Sequence, residues 1–193
     1  KEDVTWSKFH INGKELARDG CFQGDHHDGY TPWLRCPSIE GQTILPWSQS
    51  MLDIKETISK TFPTMNFNIG KIQKYNSGKI TIGAHADKVL DLKVNVPILI
   101  ARFGADRTCV LTHKVTGETI SIPVPHNSLL VLGWKTNLEW KHSIEKDTSI
   151  KDPSYSIVFR ESVTFKVPTN YVFGERTPFK TLNDLSNASW TYW

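Results

Sequence analysis

The sequence predicts a mainly β protein, a sandwich or barrel with one well-formed helix, on three observations. Beyond Phe67 the apolar residues recur with a period of two in a series of short runs. The links between those runs carry turn residues, among them Asn76-Ser77-Gly78, Val115-Thr116-Gly117, His126-Asn127 and Asp152-Pro153. Only Ser48 to Ser59 places its apolar residues at helical spacing. The length of 193 residues suits one domain, and 38% hydrophobic content with nine Phe, five Tyr and seven Trp supplies enough apolar surface to offset chain entropy. A disordered or fibrous chain is thereby excluded.

Taken in order, residues 1–66 read as an N-terminal cover and helix. From Lys1 to about Thr43 the text is polar and punctuated by Asp19-Gly20, Gln23-Gly24 and Asp28-Gly29, which suggests turns in an irregular cover. The helix follows, with Ser48 as N-cap, Met51, Ile54 and Ile58 on one face, and Phe62-Pro63 as its stop. Residues 67–165 hold the β core, in runs at Phe67–Tyr75, Lys79–Ala84, Val96–Phe103, Thr108–His113, Thr119–Val124, Ser128–Trp134, Leu138–Ser143 and Tyr155–Thr164. Residues 166–193 form an extension whose Tyr171, Phe173, Phe179, Trp190, Tyr192 and Trp193 would pack onto the core as an aromatic clamp.

Composition narrows the class further. The best apolar runs have the length of core strands, far short of a membrane span, so no membrane association is expected. The first residues lack the basic-then-apolar order of a secretory signal, and a start at Lys1 suggests an excised domain. Three cysteines without CxxC spacing argue against a disulfide framework or structural zinc, and point to a reducing, intracellular setting, nucleus or cytoplasm, rather than a secreted one. A net charge of +3 permits nucleic-acid contact without demanding it. A monomer is preferred, although nothing in the text fixes the oligomeric state.

Chemistry concentrates at Ile82-Gly83-Ala84-His85-Ala86-Asp87, where an imidazole and a carboxylate stand two apart at the end of an expected strand and so share a face. His142, in Trp140-Lys141-His142-Ser143, lies 57 residues on (142 − 85), far enough for the chain to circle a barrel and return. Together the three could form a two-His-one-carboxylate triad, which leaves metal positions open for ligands. His26-His27-Asp28 reads instead as a solvated loop, and His113 and His126 as hydrogen-bonded strand-end residues.

The surrounding text gives that triad its meaning. Tyr75-Asn76-Ser77-Gly78, His85-Ala86-Asp87, Phe103-Gly104-Ala105-Asp106-Arg107, His126-Asn127-Ser128-Leu129-Leu130, Trp140-Lys141-His142-Ser143 and Ile157-Val158-Phe159-Arg160 follow one another in that order. The ordered set, from about Phe67 to Ser162, resembles the AlkB-like family of iron(II)/2-oxoglutarate oxygenases, nearest its nucleic-acid dealkylating branch. The resemblance implies a double-stranded β-helix (jelly-roll) core with a flanking helix, and iron on His85, Asp87 and His142. It also implies 2-oxoglutarate as co-substrate with O2, contacted by Tyr75 and Arg160, and oxidative demethylation of N-alkylated bases in DNA or RNA. A guanidinium suits a carboxylate because its planar fork makes two parallel charge-assisted hydrogen bonds.

The chain departs from the family at its last core strand. Where these dealkylases read Arg-x-Asn-x-Thr-x-Arg, this sequence has Ser154, Ser156, Val158 and Arg160, and the family's Asn-x-Tyr appears as Gln73-Lys74-Tyr75. Gln73, Ser154 and Ser156 thus stand at co-substrate positions, and the loss at Ser154 removes a charge-assisted contact worth roughly 1.5–3 kcal/mol. Three explanations stay open: another cation such as Arg102 or Lys151 reaches in, the co-substrate or its pose differs, or the domain binds nucleic acid or a partner without turnover. An oxygenase acting on a protein or small molecule is a further alternative. On the substrate side Tyr30, Trp33 and Arg35 lie where the family carries its nucleotide-recognition lid. Lys88, in place of a frequent acidic residue, and Arg107 complete the candidates for stacking or phosphate contact.

Overall fold

A computed structural model of the chain describes residues 4–36, 39 and 42–188. Its largest sheet has seven strands: β1 (Ser7–Ile11), β2 (Lys14–Gly24), β4 (Ile44–Pro46), β5 (Ile69–Tyr75), β7 (Ile98–Gly104), β10 (Ser128–Leu132) and β12 (Ser154–Arg160). They run in the order β1-β2-β5-β12-β7-β10, with β4 beside β2. A four-stranded sheet, β6 (Ile82–His85), β11 (Trp140–Ile144), β8 (Arg107–His113) and β9 (Thr119–Val124), lies opposite. A small third sheet joins β14 (Val172–Gly174), β13 (Thr164–Lys166) and β3 (Thr31–Pro32). The mainly β sandwich expected from periodicity is what the chain forms.

Period two explains how the large sheet serves both a core and a site. On β12, Tyr155, Ile157 and Phe159 point to one face, and Ser154, Ser156, Val158 and Arg160 to the other. The first face packs with Leu99, Ala101 and Ile72 against α1 (Gln49–Thr61), which contributes Met51 and Ile58. Burying such side chains yields about 1.5–3 kcal/mol each, which is what holds the helix on the sheet. Trp47 stacks on Phe159 at 6.0 Å between ring centres, and its Nε1 donates to Asp25 at 2.6 Å. The second face looks across to the small sheet, whose Cys109, Leu111, Val124 and Ile144 form a cluster of their own. The space between the two sheets holds the candidate site.

Two expectations need correction. The segment read as irregular cover contains β1 to β3, with β4 directly after it, and β2 is an 11-residue strand inside the large sheet. Its Gly20 mimics a turn signal but answers to close approach: a Cβ there would lie 2.2 Å from the Ile72 carbonyl oxygen and 2.3 Å from the Phe9 ring. Gly29, with φ +83°, does make the expected turn, between His27 and Tyr30. Second, the run ending at Trp134 stops at Leu132; Gly133 then caps a short helix, α2 (Trp134–Glu139), and the next strand begins at Trp140. Leu138 therefore sits on a helix, not a strand.

Ser48 occupies the N-cap position of α1, although its hydroxyl makes no capping bond. Its backbone N–H donates instead to Gln23 Oε1 at 2.9 Å, which ties the helix start to β2. In the extension, Phe165 and Phe173 stack on the third sheet, and α3 (Leu182–Ser186) opens with a capping box between Thr181 and Asp184. Trp190, Tyr192 and Trp193 lie outside the described residues. Among the described residues Cys21, Cys36 and Cys109 form no disulfide. Among the described residues no helix is long and apolar enough to cross a membrane.

Candidate metal and co-substrate site

Strands β6 and β11 pair with His85 directly opposite His142, so backbone register brings the two imidazoles to 4.3 Å between ring centres. Asp87, two residues past His85, completes the group, and one ligating atom from each of the three lies within 4.8 Å of the others. His85 Nδ1 lies 2.9 Å from the Gly83 carbonyl; donating there, it leaves the Nε2 lone pair facing Asp87 Oδ1 at 3.7 Å. His142 is buried, and its Nδ1 has no hydrogen-bond partner. Two imidazoles and a carboxylate, with a buried ring nitrogen unpartnered, are a donor set fitted to a divalent iron with open positions.

Electrostatics keep this set in its metal-ready protonation state. Burial pushes the Asp87 carboxyl up, but the Arg160 guanidinium and His142 overcome it and bring the value to about 2. Burial pushes His142 down to about 4, with the Asp87 carboxylate pulling the other way. At neutral pH the carboxylate is therefore charged and the His142 ring neutral. Arg160 reaches Asp87 Oδ2 through Nε at 2.9 Å and also through Nη2, leaving Oδ1 turned toward His85.

Asn137, on α2, was invisible to sequence reasoning. Its side-chain Oδ1 accepts from the Asp87 N–H at 2.9 Å, and its Nδ2 donates to the Asp87 carbonyl at 3.0 Å. It thus clamps the peptide that carries the carboxylate. A buried Asn in Trp-Lys-Thr-Asn-Leu-Glu offers no pattern by which it could have been singled out.

Two cavities meet at the triad. The inner one lies between the sheets and is walled by Gln73, Tyr75, Arg102, Ser156 and Arg160 as well as by His85, Asp87 and His142. The outer cleft, of about 450 Å³, is bordered by Arg18, Leu34, Arg35, Lys88 and Asp91 and shares His85, Asp87, Lys71 and Arg160 with the inner one. The co-substrate candidates Tyr75, Gln73, Ser156 and Arg160 therefore converge on one wall, and Ser154 is buried beside them, paired across the strands with Tyr75. Gln73 Nε2 donates to Ser156 Oγ at 3.2 Å, and Gln73 Oε1 is buried without a partner.

The substrate-side candidates divide. Lys88 and Arg35 border the outer cleft; Arg35 is held by Asp91, which accepts from its Nε at 2.8 Å and Nη2 at 2.6 Å. Tyr30 and Trp33 do not border it. Tyr30 stacks on His27 and meets Phe165 and Phe173 edge-on, while the Lys166 ammonium sits 3.9 Å from the Trp33 ring centre. Arg107 is buried at the far end of the small sheet, donating to the carbonyls of Ile80 and Glu145 at 2.8 Å each. Lys151 is exposed and bonds the Thr148 carbonyl at 2.6 Å. His113 and His126 are the hydrogen-bonded strand-end residues expected, to Thr116 Oγ1 and from the Gly104 N–H.

A strand-borne His-x-Asp facing a distal His between two sheets defines a class. Residues 15–169 match the family model of the 2OG-Fe(II) oxygenase superfamily, and the chain belongs to that superfamily, whose members use Fe(II) and 2-oxoglutarate. Human DNA oxidative demethylase ALKBH2 is 31% identical over 130 residues, 63% of this chain and 49% of that protein. Its counterpart from Bos taurus is 30% identical over 125 residues, 60% and 44%. Mouse alpha-ketoglutarate-dependent dioxygenase alkB homolog 3 is 27% identical over 116 residues, 55% and 39%. The chain spans about half the length of the curated relatives it matches. The solved structure of OsALKBH1 shares the fold, with a TM-score of 0.55 at 10% identity, covering 83% of this chain and 85% of that one. The AlkB-like resemblance is borne out, and with it the jelly-roll core.

Proposed function

We propose that this chain is an Fe(II)/2-oxoglutarate-dependent oxygenase of AlkB type that oxidatively demethylates N-alkylated bases in DNA or RNA. The observation that carries the reading is the placement of His85, Asp87 and His142 where an inner cationic cavity meets an outer cleft. His85 Nε2, Asp87 Oδ1 and one ring nitrogen of His142 would hold the iron. With 2-oxoglutarate and O2 bound, such a centre supplies oxidation of a substrate C–H bond coupled to decarboxylation of the keto acid to succinate, and an N-methyl group so hydroxylated collapses to formaldehyde.

The chain's own residues bind, orient and exclude water. Arg160 fixes Asp87 and has N–H donors to spare for an acidic ligand in the inner cavity, since a guanidinium carries five. Tyr75 and Gln73 present polar groups from β5 to the same space, Gln73 with an unpaired Oε1. At the outer cleft, Lys88 offers positive charge to a phosphate backbone, while Arg35 is paired with Asp91 and Arg18 is buried. The relatives named as demethylases support this choice of substrate class.

One observation favours a second reading, the same chemistry on a protein or small molecule. Among the described residues no Phe, Tyr or Trp borders the outer cleft, whereas an extruded base is normally held between flat side chains. The first experiment is an anaerobic titration of 2-oxoglutarate into the Fe(II)-loaded protein, following the metal-to-ligand charge-transfer band, with His85→Ala as control. A saturable band that the control lacks, followed by formaldehyde release from methylated oligonucleotides, is the expected result. A band without formaldehyde would move the assignment to the second reading; iron binding without any band would sink the oxygenase reading.

A further inference from the structure

The inner cavity contains a cation with no counter-charge. Arg102, on β7, is 2% exposed, and its Nε and Nη2 have no hydrogen-bond partner. Among the described residues no carboxylate forms a salt bridge with it. Arg102 shares a side-chain hydrogen bond with Tyr75 but has no counter-charge, and an ionised group taken out of water without one costs several kcal/mol, so a protein that keeps one normally supplies it with an anion. Its burial also pulls the guanidinium below the ordinary arginine value.

Register shows what Arg102 faces. It stands directly opposite Ser156 on β12, and the next pair on that face sets Gly104 against Ser154. Three small residues thus clear the volume around the guanidinium, while Tyr75 lies across β12 with its ring centre 5.5 Å from the Arg102 Cζ. Four residues along the same face of β12, roughly 13 Å of strand, lies Arg160 with the metal triad. The cavity therefore offers a cationic polar end at Arg102 and Tyr75, and a metal-binding cationic end at Arg160. Arg107 stands beside Ser154, whose Oγ accepts from its Nη1 at 3.4 Å, but its Nη2 is engaged by two carbonyls and it does not wall the cavity, which leaves Arg102 as the guanidinium that faces it from β7.

We propose that Arg102 holds the far carboxylate of the keto acid, a cation delivered from β7 into the space that Ser154 and Ser156 leave on β12. The proposal rests on the oxygenase reading and specifies how its co-substrate is chosen: a keto acid with a second carboxylate is bound, and one without it is not. The sequence change at Ser154 is then a relocation of charge by one strand, not a loss of the subsite.

The test is binding, with no turnover required. Affinities for 2-oxoglutarate and for 2-oxobutanoate, which keeps the keto-acid end and lacks the far carboxylate, are measured by calorimetry on Mn(II)-loaded protein without oxygen. The wild-type protein is expected to prefer 2-oxoglutarate by about 10- to 100-fold. Arg102→Ser should erase that preference while leaving 2-oxobutanoate binding unchanged, and adding Ser154→Arg should restore most of it. Arg102→Lys, a milder change monitored by the same thermal melt, should retain part of the preference and covers the case in which the serine variant does not fold. A folded Arg102→Ser or Arg102→Lys protein with the full wild-type preference would overturn the proposal alone. Failure of the wild-type protein to bind either acid would overturn the oxygenase reading and the proposal together.

Discussion

Asp87 is gripped from three sides: by Arg160 on its carboxylate, by Asn137 on its peptide, and by its place two residues past His85. The bonds to Asn137 hold the proposed metal ligand by its backbone, away from its carboxylate. Asn137→Ala should weaken divalent-metal affinity about 10- to 100-fold in a chelator competition, with secondary structure unchanged by circular dichroism. Protonation sets a second outcome. His142 has a folded value of about 4, below its unfolded value near 6.5, so between those pH values the unfolded chain binds more protons than the folded one. The stability of metal-free protein should therefore fall as pH drops from about 6.5 to 4, by up to about 3 kcal/mol. It should fall again below about pH 3.8, as Asp87 is protonated toward its folded value of about 2. Urea titrations across that range would read it, and His142→Gln should flatten the upper part and shrink the lower one, since His142 helps hold Asp87 down.

At the level of elements, β2 and α1 decide how firmly the large sheet is held on its helix side. Gly20→Ala should destabilise the protein by more than about 2 kcal/mol, because the new methyl meets a backbone carbonyl that cannot retreat without breaking the β2–β5 ladder. Ile58→Ala should cost about 2–4 kcal/mol in the same denaturation assay through the cavity it opens under α1. These elements were unequally legible. The helix was readable because Met51, Ile54 and Ile58 keep helical spacing, and β12 because Tyr155, Ile157 and Phe159 alternate strictly. β2 was hidden because Gly20 and Gly24 look like turn residues when they are close-approach residues. The strand-to-helix change at Gly133 was hidden because Leu130, Leu132 and Trp134 extend the alternation past the point where the backbone abandons it. The His85, Asp87 and His142 triad was legible only because ordered family-like motifs surround it, His-x-Asp spacing alone being a weak signal, whereas Asn137 and the unpartnered Nε and Nη2 of Arg102 depend on which strands lie side by side.

For the whole molecule, two cavities share His85, Asp87 and Arg160, and the proposed function would place the small acid in the inner one and the bulky substrate in the outer one. With a net charge of only +3, attraction to nucleic acid would rest on local charge such as Lys88 at the outer cleft, where Arg35 is already paired with Asp91. If the substrate is an alkylated oligonucleotide, log affinity should fall linearly with log salt, and Lys88→Ala should make that slope shallower by about one. Fluorescence anisotropy at several salt concentrations would measure both, and a flat salt response would point to a substrate without a phosphate backbone.

The triad's dispersal along the chain has a consequence for biogenesis. His85 and Asp87 leave the ribosome 57 and 55 residues before His142 (142 − 85 and 142 − 87), and the guanidinium that orients Asp87 follows Asp87 by 73 residues. A half-made chain thus carries only an incomplete chelator on an unpaired strand, since β6 gains its neighbour only when β11 has been synthesised. If the triad takes a metal as proposed, tight capture must wait until β11 has paired with β6 and β12 has delivered Arg160 to Asp87.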